Sequence, residues 1–187
     1  YATAISGRPG PVVLALPEDM LRDVVPAPEP LAHVPVVTAP GMQAITNFGR
    51  LLANARNPFA ILGGSRWTAK SVAEFQSFAE RFQLPVGCSF RRQMLFDHLH
   101  PCYAGDVGIG INPALGKRIK EADLVLLIGG RMSEMPSSDY TLLKSPYPDQ
   151  QFIHVHPDAS ELGRVYRPTL AINASSSDFV EAIAVLP

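Results

Sequence analysis

Two glycine pairs stand where a ligand could be held. Gly63-Gly64-Ser65-Arg66 follows the apolar run Phe59 to Leu62, and Gly129-Gly130-Arg131 follows the apolar run Leu124 to Ile128. A run with no polar alternation suits a strand buried on both faces, hence a parallel sheet flanked by helices. Glycines directly behind such a strand remove side chains where another backbone, or a ligand's phosphate, must come close. Arg131 suits an anionic phosphate, because its planar fork donates two hydrogen bonds. The competing reading is a tight strand-to-loop turn at Gly129 and Gly130, with Arg131 a solvated surface residue. A third glycine set, Gly105, Gly108 and Gly110, has the order Gly-x-x-Gly-x-Gly but follows no apolar strand, so it is not read as a dinucleotide fingerprint. His98 and His100 lie near Cys102, but without metal-ligand spacing they read as a polar loop and no metal site is expected.

The elements that must position these residues follow from periodicity. Ile45, Phe48, Gly49, Leu52 and Ala55 have helical spacing. Thr68 can cap a helix that runs to Phe82 and buries Val72, Phe75, Ala79 and Phe82. Asn112-Pro113 is a helix start, with Leu115, Ile119 and Ala122 facing inward. Asp158-Ala159-Ser160-Glu161 reads as a capping box, and Ser177 or Asp178 as the cap of a final helix. Strands are expected near 59–62, 85–88, 124–128, 151–156 and 169–173, with residues 89–111 an irregular loop. Strands alternating with helices in this way predict a doubly wound α/β domain of five or six parallel strands, with a helix against each face and a crevice at the carboxyl edge.

Composition excludes several classes. The 187 residues are 47% hydrophobic and 18% charged, the profile of an ordinary globule. A net charge of −1 gives no field for nucleic acid or an anionic membrane. Cys88 and Cys102 lack CxxC spacing and suit a reducing compartment, so a cytoplasmic protein is expected. No apolar run approaches the length of a membrane span. Near the start, Pro11 to Pro17 encloses a buried-strand pattern, and Pro26, Pro28, Pro30, Pro35 and Pro40 favour an extended linker. Residues 1–36 are therefore expected to be the tail of a preceding domain plus a linker, with the compact domain at 37–187. Strand 11–16 should lie outside the sheet or at its margin.

Four phrases, in order, resemble the acetolactate synthase group of thiamine-diphosphate-dependent enzymes. Gly7-Arg8-Pro9-Gly10-Pro11-Val12-Val13-Leu14 and the residues through Asp19 are similar to the closing strand of that family's pyrimidine-binding domain. Ala55 to Gly64, Ala122 to Arg131 and Phe152 to Gly163 resemble hallmarks of its central domain. The resemblance implies a three-layer, Rossmann-like parallel sheet of the DHS-like NAD/FAD-binding-domain type. It also implies an enzyme that decarboxylates and joins 2-oxo acids such as pyruvate. Thiamine diphosphate and magnesium would be bound by partner pyrimidine- and diphosphate-binding domains, within a homodimer or homotetramer.

That family places a catalytic glutamate in its first domain and a Gly-Asp-Gly motif followed by asparagines in its third. Here Gly105-Asp106 continues into Val107, no Asn-Asn occurs, and Glu18 lies past the family's glutamate. The chain is thus expected to be a central domain, inactive alone and without catalytic residues of its own. In flavin-containing relatives FAD lies along the sheet's carboxyl edge, and in others an ADP-like group does. The resemblance would place Gly63, Gly64 and Ser65 beside the phosphate or ribitol, with Gly130 and Arg131 facing them, and the 104–111 loop near the isoalloxazine. Those relatives carry Asp where this chain has His156, which weakens a ribose contact. FAD is left open and is not favoured. The alternative function is a free-standing FAD- or NAD-binding module.

Overall fold

A computed structural model describes residues 1–29, 32–34 and 36–186. Its centre is a six-stranded, all-parallel sheet: β1 (Pro58–Leu62), β2 (Val86–Ser89), β3 (Tyr103–Val107), β4 (Leu124–Ile128), β5 (Gln151–His156) and β6 (Leu170–Asn173). The spatial order is β3-β2-β1-β4-β5-β6, the doubly wound order in which the winding reverses between β1 and β4. Phe59 pairs with Val125 and Leu62 with Ile128, so the two apolar runs are neighbours in register.

Alternation along the strands divides the core between two faces. Ala60, Leu62, Leu124, Leu126, Ile128, Ile153 and Val155 pack with residues of α2 (Met42–Asn54), α3 (Ala69–Arg81) and α5 (Ser176–Ala184). Phe48, Phe75, Phe78 and Phe179 are fully buried there. Phe59, Ile61, Val125, Leu127 and Phe152 face the other way, against α4 (Pro113–Lys120) and the segments around Leu142 and Tyr166. Helices cover both faces, as expected.

The caps were partly foreseen. The Thr68 hydroxyl accepts from Ser71 N–H at 3.1 Å, and Asn112 accepts from Ala114 N–H at 2.9 Å. At α5 the expectation of Ser177 or Asp178 was two or three residues late, for Ser175 is the cap and accepts from Asp178 N–H at 3.2 Å. Ser177 instead donates to the Arg66 carbonyl at 2.6 Å, tying α5 to the loop after β1. Asp158 accepts from Ser160 N–H at 2.9 Å, but Glu161 does not close the box and the element is only the 3-10 turn Ala159–Glu161.

Two larger expectations need correction. The loop expected over 89–111 contains β3, a full member of the sheet beside β2. Its signal is weak because Ala104, Gly105 and Asp106 are not buried and Gly105 has φ +128°. The strand expected at 11–16 does not form. Those residues carry no regular structure and are exposed, Val13 at 93% and Leu14 at 78%; with no sheet edge to pair with, their backbone is left to water. The short helix α1 (Ala2–Ile5) precedes it. Of the linker prolines, Pro30 and Pro35 lie outside the described residues.

Candidate functional site

At the carboxyl ends of β1 and β4 the two glycine pairs meet. A Cβ on Gly63 would stand 2.9 Å from the Gly130 Cα, and one on Gly64 would fall inside the Gly129 carbonyl oxygen. Gly64 and Gly129 also have φ near +70°, the left-handed region that disfavours a side chain. The close backbone approach anticipated for these glycines is therefore made first to each other. Gly63 N–H donates to Ile128 O at 2.9 Å and Gly129 N–H to Val155 O at 2.8 Å, extending the ladder one residue past each strand.

Above the joined glycines lies a crevice of about 480 Å³. Gly64, Ser65, Gly130, Arg131 and His156 line it, so five of the six anticipated residues share one site; Gly63 is buried beneath. Sequence reasoning missed Arg8, Ser89, Arg91 and Arg92, which also line it. Each except Arg8 sits at or just past the carboxyl end of a strand, the position where doubly wound sheets bind ligands. No aspartate or glutamate lines the crevice, whereas four arginines do. Such a surface attracts phosphate or another polyanion. Arg66 does not take part: its guanidinium donates backward to the carbonyls of Gly7, at 3.0 Å, and Ile5.

Arg131 is not simply solvated. Its Nη1 lies 3.5 Å from Glu161 Oε1, which also receives Arg164 Nη1 at 3.1 Å. Glu161 was read as a capping residue and is instead the partner of two arginines.

His154 and His156 project from one face of β5 toward this edge. His154 Nε2 donates to the Gly130 carbonyl at 3.0 Å, and burial pushes its pKa down to about 4. His156 is buried, and its pKa is lowered for the same reason. Its Nδ1 lies 3.1 Å from both the N–H and the carbonyl oxygen of Asp158, so the backbone occupies that nitrogen in either tautomer. The neutral ring thus leaves one nitrogen for a ribose hydroxyl, where a carboxylate would offer two oxygens.

The low value of His154 has a consequence for stability. Between its ordinary 6.5 and the folded value of about 4, the unfolded chain binds a proton that the native state refuses. Stability should fall as pH drops through that window, by up to about 3 kcal/mol from this residue. His154→Asn, which keeps a donor for Gly130, should show a flatter dependence than the parent in urea unfolding between those pH values. Equal slopes would mean that His154 is protonated in the native state.

Cys88 is buried and its thiol is pushed up to about 12 by burial and by Asp106, so it is no nucleophile. His98 Nε2 bonds the Gln93 carbonyl at 2.9 Å and His100 Nδ1 accepts from Cys102 N–H at 3.1 Å. Among the described residues no group of three or more His, Cys, Asp or Glu is placed to hold a metal, and no helix is long and apolar enough to cross a membrane. Gly105-Asp106 is part of β3, where Asp106 accepts from the Tyr103 hydroxyl at 3.0 Å.

Comparison with known proteins agrees with this architecture. The family model described as thiamine pyrophosphate enzyme, central domain, matches residues 45–183. Acetolactate synthase isozyme 1 large subunit of Escherichia coli (strain K12) is 27% identical over 190 residues, covering 100% of this chain and 33% of that protein. Sulfoacetaldehyde acetyltransferase of Castellaniella defragrans is 30% identical over 167 residues, covering 87% of this chain and 27% of that protein. The crystal structure of benzoylformate decarboxylase from Polynucleobacter necessarius superimposes with a TM-score of 0.77 at 25% identity, covering 100% of this chain and 34% of that one. The chain thus spans about a third or less of the length of these relatives. A six-stranded parallel sheet wound in this order, with that match over most of its length, makes the chain a member of the thiamine pyrophosphate enzyme family that carries its central domain.

Proposed function

We propose that the chain serves as the central domain of an acetolactate synthase-like enzyme that decarboxylates and joins 2-oxo acids. The observation that carries this reading is the full-length similarity to an acetolactate synthase large subunit. In such an enzyme thiamine diphosphate supplies the carbanion chemistry, with magnesium at its diphosphate, and both are held by the pyrimidine- and diphosphate-binding domains. The contribution of this chain is to space those domains and to present the crevice. Domain limits at 1–36 and 37–187, and assembly as a homodimer or homotetramer, belong to the same proposal.

The crevice residues fit one part of a nucleotide and not another. Arg8, Arg91, Arg92 and Arg131 line a crevice without a carboxylate in its own wall and suit a diphosphate, although Arg131 is shared with Glu161. At the end of β5, where an adenosine ribose wants a carboxylate, His156 offers a single neutral ring nitrogen. FAD is accordingly not favoured. The reading as a free-standing FAD or NAD module asks for that carboxylate and is weaker for the same reason.

The purified 187-residue chain should release no carbon dioxide and form no acetolactate from pyruvate, even with thiamine diphosphate and magnesium added. The reason is that neither the activating glutamate nor a Gly-Asp-Gly motif with following asparagines occurs in it. Turnover above background would overturn the assignment. Residues 37–187 exchanged for the central domain of an active acetolactate synthase should preserve acetolactate formation. An assembled but inactive chimera would point to a different thiamine-dependent reaction.

A further inference from the structure

One side of the crevice is not built by the sheet. Arg8 and Pro9 line it, and residues 6–9 reach it from α1 with no helix or strand of their own. Such a segment does not stay in place by its own backbone bonding, so something in the domain must hold it.

That holding falls to one side chain. Among the described residues, the only hydrogen bonds that join residues 1–29 to the rest of the chain are two donated by Arg66, from Nε to the Gly7 carbonyl at 3.0 Å and from Nη2 to the Ile5 carbonyl. The planar fork of a guanidinium suits two carbonyls on one short stretch of backbone, whereas the ammonium of lysine is a point donor.

The backbone that carries Arg66 is unusual, and this is independent of what its side chain touches. Its φ is +63°, in the left-handed region that non-glycine residues rarely adopt and in which they are strained. The surroundings enforce the strain. Ser177 donates to the Arg66 carbonyl from its hydroxyl at 2.6 Å and from its N–H at 3.3 Å, and the Ser176 hydroxyl donates to the Ser65 carbonyl at 3.1 Å. On the other side the Trp67 indole N–H donates to the Gly63 carbonyl at 2.8 Å. The start of α5 and the glycine junction thus fix a rigid platform from which the guanidinium is aimed. Strain that the surrounding structure over-determines gathers where a side chain has a task.

We propose that Arg66 is a positioning residue that holds Ile5 and Gly7 so that Arg8 stands over the crevice, and that a diphosphate bound there and the held segment stabilise each other. This rests on the reading of the crevice as a site for a diphosphate and adds to it the residue that completes one wall. Arg66 acts through Arg8 and does not touch the anion, since its two bonds run to carbonyls on the far side. The coupling is reciprocal: the factor by which the held segment strengthens diphosphate binding is the factor by which the diphosphate strengthens the holding.

Inorganic pyrophosphate is the probe, titrated calorimetrically into the 187-residue chain at constant ionic strength without divalent metal. Arg8→Ala should weaken binding about tenfold and Arg66→Gly about fivefold. The double variant should be no weaker than Arg8→Ala alone, because nothing is left for Arg66 to position. Glycine accepts the φ at 66 without strain, so Arg66→Gly should melt within about 3 °C of the parent and its loss of affinity is not a loss of folding. Arg66→Lys, which keeps the charge and loses the fork, should bind more like Arg66→Gly than like the parent. The holding itself is read by energy transfer from Trp67, the one tryptophan, to a dansyl group on the Tyr1 amine, which should drop in Arg66→Gly. Additive losses in the double variant, parent-like affinity in Arg66→Gly or Arg66→Lys, or unchanged transfer in Arg66→Gly would each overturn the positioning role. A parent that shows no saturable binding up to about 10 mM would overturn the crevice reading and the coupling with it, a failure that the parent's own titration tells apart from the others.

Discussion

Replacing Gly64 by alanine is expected to cost about 4 kcal/mol or more, enough to unfold a large share of a chain of ordinary stability. Two penalties combine. Gly64 sits at φ +69°, where any L side chain is strained by roughly 1–2 kcal/mol. The new methyl would also occupy the space of the Gly129 carbonyl. That obstacle is backbone, held in place by the bond from Gly129 N–H to Val155 O, and cannot rotate aside as a flexible side chain could. Gly110→Ala is the control. Its φ is +70°, but nothing lies within 4 Å of the added Cβ, so it should cost only the strain, about 1 kcal/mol. Urea unfolding followed by circular dichroism separates the two. If Gly64→Ala were no worse than Gly110→Ala, the ends of β1 and β4 would not be packed against each other.

His156→Asp should change flavin affinity more than any other single substitution in the crevice. The parent chain should be colourless and bind FAD no tighter than about 0.1 mM. An aspartate at 156 would accept from ribose hydroxyls with two charged oxygens where the imidazole has one neutral nitrogen, through one to two charge-assisted hydrogen bonds of about 1.5–3 kcal/mol each. A gain of about 3 kcal/mol is a factor of more than 100, so the variant should titrate by flavin fluorescence quenching in the low micromolar range. A yellow parent would show that the four arginines hold the cofactor without help from the ribose. An unchanged variant would show that the ribose does not reach β5.

The central strands and the glycine pairs were readable because burial on both faces writes an uninterrupted apolar run, and because only glycine tolerates two backbones in contact. β3 was not. As an edge strand beside β2 alone it keeps only Val107 buried, so its sequence carries no hydrophobic period. The apolar run at 11–16 misled in the opposite direction, since hydrophobicity without a partner edge does not make a strand. At the site, Gly64, Ser65, Gly130, Arg131 and His156 could be placed from strand ends. Arg91 and Arg92 could have been, given that they follow β2 closely. Arg8 could not, because its approach depends on how an irregular segment folds back. The Glu161 pairing was hidden for another reason: capping and ion pairing use the same residue type, and only tertiary placement distinguishes them.

The strand order also governs how the molecule can be made. Among the described residues every strand pair is parallel and none is a hairpin, so no two strands of the sheet can zip up before a crossover between them has closed. β1 has the longest wait, because its second neighbour is β4 and the chain must extend through Ile128 before that edge is covered. During synthesis one of the most hydrophobic segments therefore carries a bare ladder while α3, β2, β3 and α4 are still being added. A nascent chain in that interval is open to pairing with the same segment of a neighbour. Slow, concentration-sensitive refolding is the expected signature of a sheet whose two central strands are so far apart in the chain.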